Sequence, residues 1–407
     1  MDLLTWIFWI VAALLLLYLL LPFLTVLISR FVKDSVAGMD FPETEKDFAC
    51  IITAYKNAEI TVPTVRALLN QTYSNFHIYL VCDECDFEDY ETKDSRLSVF
   101  VPKPSLRLKA KSIIHAMEQF VRPHEYTVIF DADNLAHPDF LKHLNKYCHQ
   151  GFRSVQGQRT AKNLDTTFAC ADATGEFYKN YIERLVPYLI GSSSVISGSG
   201  MAVKTDLYWD YLMSPGIQEG KEKWKKMLQE DKILQNYLLR RKEKIQYAWG
   251  AIVYDEKVTS GEQVETQRSR WLYSYFQNLP NSSGILLRGL FGLNWNQFLF
   301  GLITLAPPLF ILVFFSGIWA VLSFWVQPII SASLILGLVI FMGTILWTLK
   351  LSRAPAEIWK TIWSLPLFAL RQVKALFKMA NPNKNFKHTE HNRGVSIDDV
   401  LKQEGKA

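Results

Sequence analysis

Residues 289–349 contain no aspartate, glutamate, lysine or arginine, although charged residues make up 20% of the chain as a whole. No water-soluble surface can be built from such a run, and about 20 apolar residues suffice for one membrane-spanning helix. The run therefore predicts two spans, near 297–322 and 328–349, with Trp325-Val326-Gln327-Pro328 as the break between them. Pro307-Pro308 predicts a kink in the first of the two, which neighbouring helices in a bilayer tolerate. Residues 3–28 form a second charge-free stretch. At about 1.5 Å per residue it is longer than a hydrocarbon core of about 30 Å.

The flanks of these runs set the expected sidedness. Asp2 precedes the first stretch, Arg30 and Lys33 follow it, and Trp6, Trp9 and Tyr18 suit the membrane interface. A cleavable leader has a basic start and a shorter apolar run, so the segment reads as a retained anchor with residue 30 onward in the cytoplasm. Residues 355–379 interleave apolar stretches with Glu357, Lys360, Arg371, Lys374 and Lys378, the pattern of an amphipathic helix on a membrane surface. The net charge is +5, yet residues 350–407 hold 11 Lys/Arg against 5 Asp/Glu, leaving 33 against 34 elsewhere. A basic excess confined to the tail excludes a distributed nucleic-acid surface and suits a cytoplasmic C-terminus beside anionic lipid. An apolar fraction of 49% excludes a disordered chain. The expected organisation is an anchor at 1–29, a cytoplasmic domain at 30–288 and two spans within 289–350. An interfacial helix at 351–380 and a cytoplasmic tail at 381–407 complete a multi-pass protein of the cell membrane.

All five cysteines (Cys50, Cys82, Cys85, Cys148, Cys170) fall in the cytoplasmic segment. Cys82-x-x-Cys85 lacks the further ligands that a zinc site needs, so buried free thiols are expected. Short apolar runs at 48–55, 77–82, 96–101, 126–133 and 154–159 alternate with helical patterns at 62–69, 108–120 and 139–148. Such alternation predicts an α/β domain, a mostly parallel sheet with helices on both faces and its ligand at the carboxyl ends of the strands. Acidic residues gather at those ends: Asp83 after the second run, Asp131 and Asp133 after the fourth.

Asp131-Ala132-Asp133 can hold one hard divalent cation against a diphosphate, although Asn134 and Pro138 also suit an ordinary turn. Glu230-Asp231 opens a helical pattern, where carboxylates are favoured by the helix dipole and where Asp231 could equally serve as a general base. Gln267-Arg268-Ser269-Arg270-Trp271 precedes the membrane block. Its guanidiniums could clamp a diphosphate and its indole could stack on a sugar, or the group could be a juxtamembrane belt.

Taken in order, D-x-D, then E-D about a hundred residues on, then Q-x-x-R-W beside membrane helices, the sequence resembles the processive, membrane-embedded family 2 glycosyltransferases. These include the synthases of cellulose, hyaluronan, chitin oligomers and poly-N-acetylglucosamine. The resemblance implies a GT-A-like fold and an inverting transfer of a hexose or N-acetylhexosamine from a UDP-sugar to a growing polysaccharide or oligosaccharide. It implies Mg²⁺ or Mn²⁺ on Asp131 and Asp133, Asp231 as catalytic base, and Asp83 and Tyr55 at the nucleoside. Lys109 and Arg270 would serve the donor. Gln267 and Trp271, with the small-residue stretch that includes Gly198, Ser199 and Gly200, would border the acceptor.

The family's P-x-Y-N-E is Thr53-Ala54-Tyr55-Lys56-Asn57 here, and its G-K-x-x-A-L-N keeps only the lysine clearly. Phe386-Lys387-His388-Thr389-Glu390-His391 loosely resembles a loop that closes over the nucleotide. Transfer of one sugar to a lipid carrier, or a non-catalytic sugar-nucleotide-binding subunit of an export complex, are the alternatives. Expected partners are the donor, a polysaccharide or lipid-linked acceptor, membrane lipid, and export subunits or a second copy of the chain.

Overall fold

The computed structural model describes residues 3–87, 90–223, 229–377 and 395–404. After α1 (Leu3–Ser29) come β1 (Phe48–Tyr55), α2 (Thr61–Leu69), β2 (Phe76–Asp83), β3 (Leu97–Phe100), α3 (Lys109–Glu118) and β4 (Tyr126–Asp131). Next are β5 (Leu135–Ala136), α4 (Phe140–His149), β6 (Ser154–Ala161) and α5 (Thr167–Lys179). A π-helical segment, Asn180–Leu185, joins α5 to α6 (Val186–Leu189), followed by β7 (Met201–Lys204), α7 (Thr205–Leu212), α8 (Pro215–Lys223), α9 (Glu230–Arg240) and β8 (Gln246–Asp255). The remaining helices are α10 (Gly261–Phe291), α11 (Trp295–Thr304), α12 (Leu309–Val326), α13 (Pro328–Leu351), α14 (Ala356–Thr361), α15 (Leu365–Phe377) and α16 (Ile397–Glu404).

The strands form one sheet in the order β3-β2-β1-β4-β7-β6-β8-β5, in which only β7 and β5 run against the rest. The expected mixed, mostly parallel sheet covered on both faces is what forms. Alternation along β1 explains the layering. Cys50 and Ile52 join a core with Leu68, Leu141 and Leu144, while Ala49 and Ile51 join another with Ile113, Leu207 and Leu238. A strand buried on both faces needs apolar side chains at every position, which is why it reads as a continuous apolar run. In register, Tyr55 pairs with Asp83 and Thr53 with Asp131, so the two acidic strand ends flank the end of β1.

Among the described residues three helices are long and apolar enough to cross a membrane: α1 (27 residues), α12 (18) and α13 (24). They pack through Phe8, Ala12 and Leu19 against Leu312, Ala320, Leu334 and Phe341. At Gly337 a Cβ would lie 2.9 Å from Leu16, so the missing side chain is what lets α13 approach α1. The break at Gln327 and the helix expected at 328–349 lie where the sequence places them.

The first C-terminal span does not run from 297. Neither Pro307 nor Pro308 has an amide to donate, so the helix stops before them instead of kinking. The residues before that stop form α11, which folds back on α10: Cβ atoms at Gly289 and Gly301 would clash with the backbone of Phe298 and Leu286. Polar residues also tie α11 to the α/β domain, with Gln297 Nε2 donating to the Leu239 carbonyl at 2.7 Å. The expected helix at 355–379 is broken in two by a turn at Ile362–Ser364. Ile358 and Phe368 are buried beneath it, whereas Trp359, Trp363, Leu367 and Leu370 are exposed at near-helical spacing.

Candidate active site

Asp131 is the last residue of β4, and the turn after it is fixed by Asn134, whose Oδ1 accepts the Asp131 amide at 3.0 Å. Asp133 is buried, and its carboxylate accepts the Glu256 amide at 3.3 Å. Lys109, the first residue of α3, donates to Asp131 Oδ1 at 2.6 Å and to the Gly198 carbonyl at 3.0 Å, and reaches Glu230 at 3.9 Å. Burial works against a charge on Asp131, but Lys109 and then Arg159 hold its carboxyl below the usual range.

Gly198 and Gly200 have φ of +86° and +63°, left-handed values that strain any residue with a Cβ. A Cβ at 198 would sit 3.7 Å from Asp231 Oδ2, so the base expected from the sequence rests on this glycine loop. Ser199 is fully buried within the loop. Asp231 lies in the first turn of α9 beside Glu230, whose carboxyl is pushed up, chiefly by burial and against the pull of Lys109. The structure thus gathers Asp131, Lys109, Gly198, Glu230 and Asp231 around one loop.

At the β1 and β2 ends, the Tyr55 hydroxyl donates to Glu84 at 2.7 Å. Burial, then this bond, push the tyrosine up to about 12. Tyr55, Ser105 and Arg107 together hold the Glu84 carboxyl at about 2. Asp83 is buried, with its two oxygens accepting the amides of Leu106 (2.9 Å) and Arg107 (2.5 Å). It fixes the 105–107 loop, and Glu84 is the acid of this pair that meets Tyr55.

Gln267, Arg270 and Trp271 lie on α10. The Trp271 ring carries Arg268 at 4.4 Å and Lys179 at 4.9 Å, and Arg268 pairs with Asp172 of α5. Burial pushes the Arg270 guanidinium down. Among the described residues the buried Gln267 Oε1 has no hydrogen-bond partner. Further along the helix, Ser274 donates to Gln229 at 2.8 Å, fastening α10 to the residue before Glu230. The 386–391 stretch lies outside the described residues.

Among the described residues no three His, Cys, Asp or Glu side chains converge on one ion position. Asp131 and Asp133 supply hard carboxylate oxygens, which suit Mg²⁺ or Mn²⁺ when substrate phosphate and water complete the shell. All five cysteines are free and buried, as expected.

A family model described as "Glycosyltransferase like family 2" matches residues 45–274, which contain the strand ends, the glycine loop, the E-D pair and the Q-x-x-R-W. The chain belongs to this glycosyltransferase family. Among solved structures it is similar to the mannosyltransferase PcManGT from Pyrobaculum calidifontis in complex with GDP-Man and Mn2+. The TM-score is 0.52 at 12% identity, over 90% of this chain and 98% of that one, a likeness of fold. TarS of S. aureus overlaps at a TM-score of 0.39 and 14% identity, over 85% of this chain and 56% of that one. No curated protein matches in sequence. The domain is thus a GT-A-like glycosyltransferase.

Sequence reasoning missed the buried ionic group behind the site. Arg159, at the carboxyl end of β6, meets Asp255 at 3.3 Å and Glu176 at 3.4 Å. Glu176 also accepts Arg184 at 2.7 Å and pairs with Lys257 at 3.6 Å. The available signal was Gln156, Gln158 and Arg159 within a strand of a buried sheet, where polar side chains are rare without a purpose.

Proposed function

We propose that the protein is a membrane-embedded, inverting glycosyltransferase that moves a hexose or N-acetylhexosamine from a UDP-sugar to a growing polysaccharide or oligosaccharide. The observation that carries this is Lys109, which joins the first carboxylate of the D-x-D to the glycine loop on which Asp231 rests. On this reading the D-x-D marks the leaving-group site and Asp231 the base, and both adjoin the Gly198 loop. Asp131 and Asp133 would hold Mg²⁺ or Mn²⁺, which when bound neutralises charge on a departing diphosphate. The bound GDP-Man and Mn2+ of the similar mannosyltransferase support a nucleoside-diphosphate sugar with a divalent ion.

Tyr55 and Asp83 serve the nucleoside end, the first by its ring and the second by fixing the 105–107 loop. Asp231 takes the proton from an acceptor hydroxyl as that oxygen attacks the anomeric carbon opposite the diphosphate, inverting it. Lys109 and Arg270 offset charge on the departing oxygens. Gln267, Trp271 and the Gly198-Ser199-Gly200 loop border the acceptor. The helices α14 and α15 lie on the cytoplasmic membrane surface, with Trp363 and Leu367 toward lipid.

The three candidate spans among the described residues are few for a polymer channel, which favours single transfer to a lipid carrier as the second reading. Detergent-purified protein incubated with labelled UDP- and GDP-sugars decides between them. A ladder of oligomers with UDP release supports polymer synthesis, and one lipid-linked sugar supports the second reading. Absence of transfer from every donor would leave only a sugar-nucleotide-binding subunit.

A further inference from the structure

The loop from Ser197 to Gly200 is held almost group by group from β6. The Ser197 amide donates to Gln156 Oε1 at 3.0 Å, and Gln156 Nε2 donates to the carbonyls of Ser199 (2.9 Å) and Gly200 (3.3 Å). The Ser197 carbonyl accepts Arg159 Nη1 at 2.9 Å. Between these residues, Gly157 donates its amide to the Gly200 carbonyl at 2.8 Å, and a Cβ there would lie 2.8 Å from that oxygen. Gln156 is fully buried, and Arg159 is clamped from behind by Asp255 and Glu176. A buried amide and a clamped guanidinium have few rotamers open to them, so the loop inherits their rigidity.

We propose that Gln156 and Arg159 are positioning residues for sugar transfer: from one strand they fix the loop against which Asp231 packs, and so fix where the base stands relative to the donor. This rests on Asp231 being the base. Neither residue need touch a substrate. Their effect is on the alignment of reacting groups, where a misplacement of about 1 Å can cost a hundredfold in rate.

Arg159→Lys keeps the charge between Glu176 and Asp255 but loses the planar fork that also spans to the Ser197 carbonyl. Gln156→Met keeps the volume and removes every bond to the loop, and it gives the same information should Arg159→Lys not fold. Each variant is expected to lower kcat roughly 10- to 100-fold while donor KM and nucleotide affinity by calorimetry change less than about threefold. Arg122→Ala is the control: it breaks the Arg122–Asp47 ion pair (2.7 Å) at the amino end of the sheet. It should lower the melting temperature without this split.

A purely structural role would lower kcat only in proportion to the folded fraction, in variant and control alike, and that result overturns the proposal. So does kcat within about threefold of wild type in both β6 variants. Asp231→Asn run alongside separates the two claims. If it abolishes transfer while the β6 variants do nothing, the positioning role falls and the base assignment stands. If Asp231→Asn turns over normally, both fall.

Discussion

Lys109 donates its ammonium to Asp131 Oδ1 at 2.6 Å, so the carboxylate that ends β4 is paired to a cation from the neighbouring helix. A divalent ion approaching Asp131 meets that charge, and the repulsion is relieved when a diphosphate arrives with the metal. Metal and donor should therefore bind together, with metal alone binding weakly.

Removing the ammonium should separate these effects. Lys109→Met is expected to bind Mn²⁺ alone about fivefold more tightly, the scale of a partly exposed charge pair at about 1 kcal/mol. It should bind the Mn²⁺–nucleoside diphosphate more weakly. Electron paramagnetic resonance of free Mn²⁺ in a titration reads both. Unchanged affinity for the lone ion would mean that Lys109 does not oppose it.

Glu230 gives a pH signature. Its folded carboxyl is pushed up by burial, so the native state holds this proton more tightly than the unfolded chain does. The stability this contributes is complete below the ordinary glutamate value of about 4.3 and is lost as pH rises through the raised value. Glu230→Gln should therefore show a flatter stability profile than wild type as pH rises above the ordinary glutamate value, and lose less stability than wild type over that rise. Thermal unfolding in detergent from pH 4 to 8 measures it. A variant losing more stability at pH 8 than at pH 5 would reverse the sign.

The sheet was legible because strands buried on both faces must be apolar throughout, and Phe48–Tyr55 and Tyr126–Asp131 show this plainly. The acidic strand ends followed from the same pattern. Less legible were β7 and β8, since Met201–Lys204 is too short to show a period and Gln246–Asp255 mixes polar and aromatic residues. The α10–α11 hairpin was hidden because two glycines that let helices touch look, in sequence, like glycines inside a span. Arg159 was missed because its partners Glu176 and Asp255 are far apart in the chain and meet only in the fold.

Lys179 and Arg268 both lie over the Trp271 ring, 4.9 and 4.4 Å from its centre. Trp271→Ala is expected to raise acceptor KM about 3- to 10-fold, the scale of one aromatic stacking contact, with donor KM unchanged. Trp271→Phe should recover most of it. Initial rates over an acceptor series measure this, and an effect confined to donor KM would move Trp271 to the nucleotide side.

Leu367 and Trp363 are 61% and 90% exposed on α14–α15 and its turn, and the five native thiols are buried. A fluorophore on Leu367→Cys should therefore label selectively and be quenched by nitroxide lipids in proteoliposomes. Quenching by aqueous iodide alone would place this face in water.

The most direct test of the central claim is Asp231→Asn assayed for binding and transfer in one preparation. The expected result is wild-type affinity for the Mn²⁺–nucleotide sugar by calorimetry, with labelled sugar transfer lost by at least about a hundredfold, the lower end of general-base contributions. Near-normal transfer with binding intact would contradict it and remove Asp231 as the base.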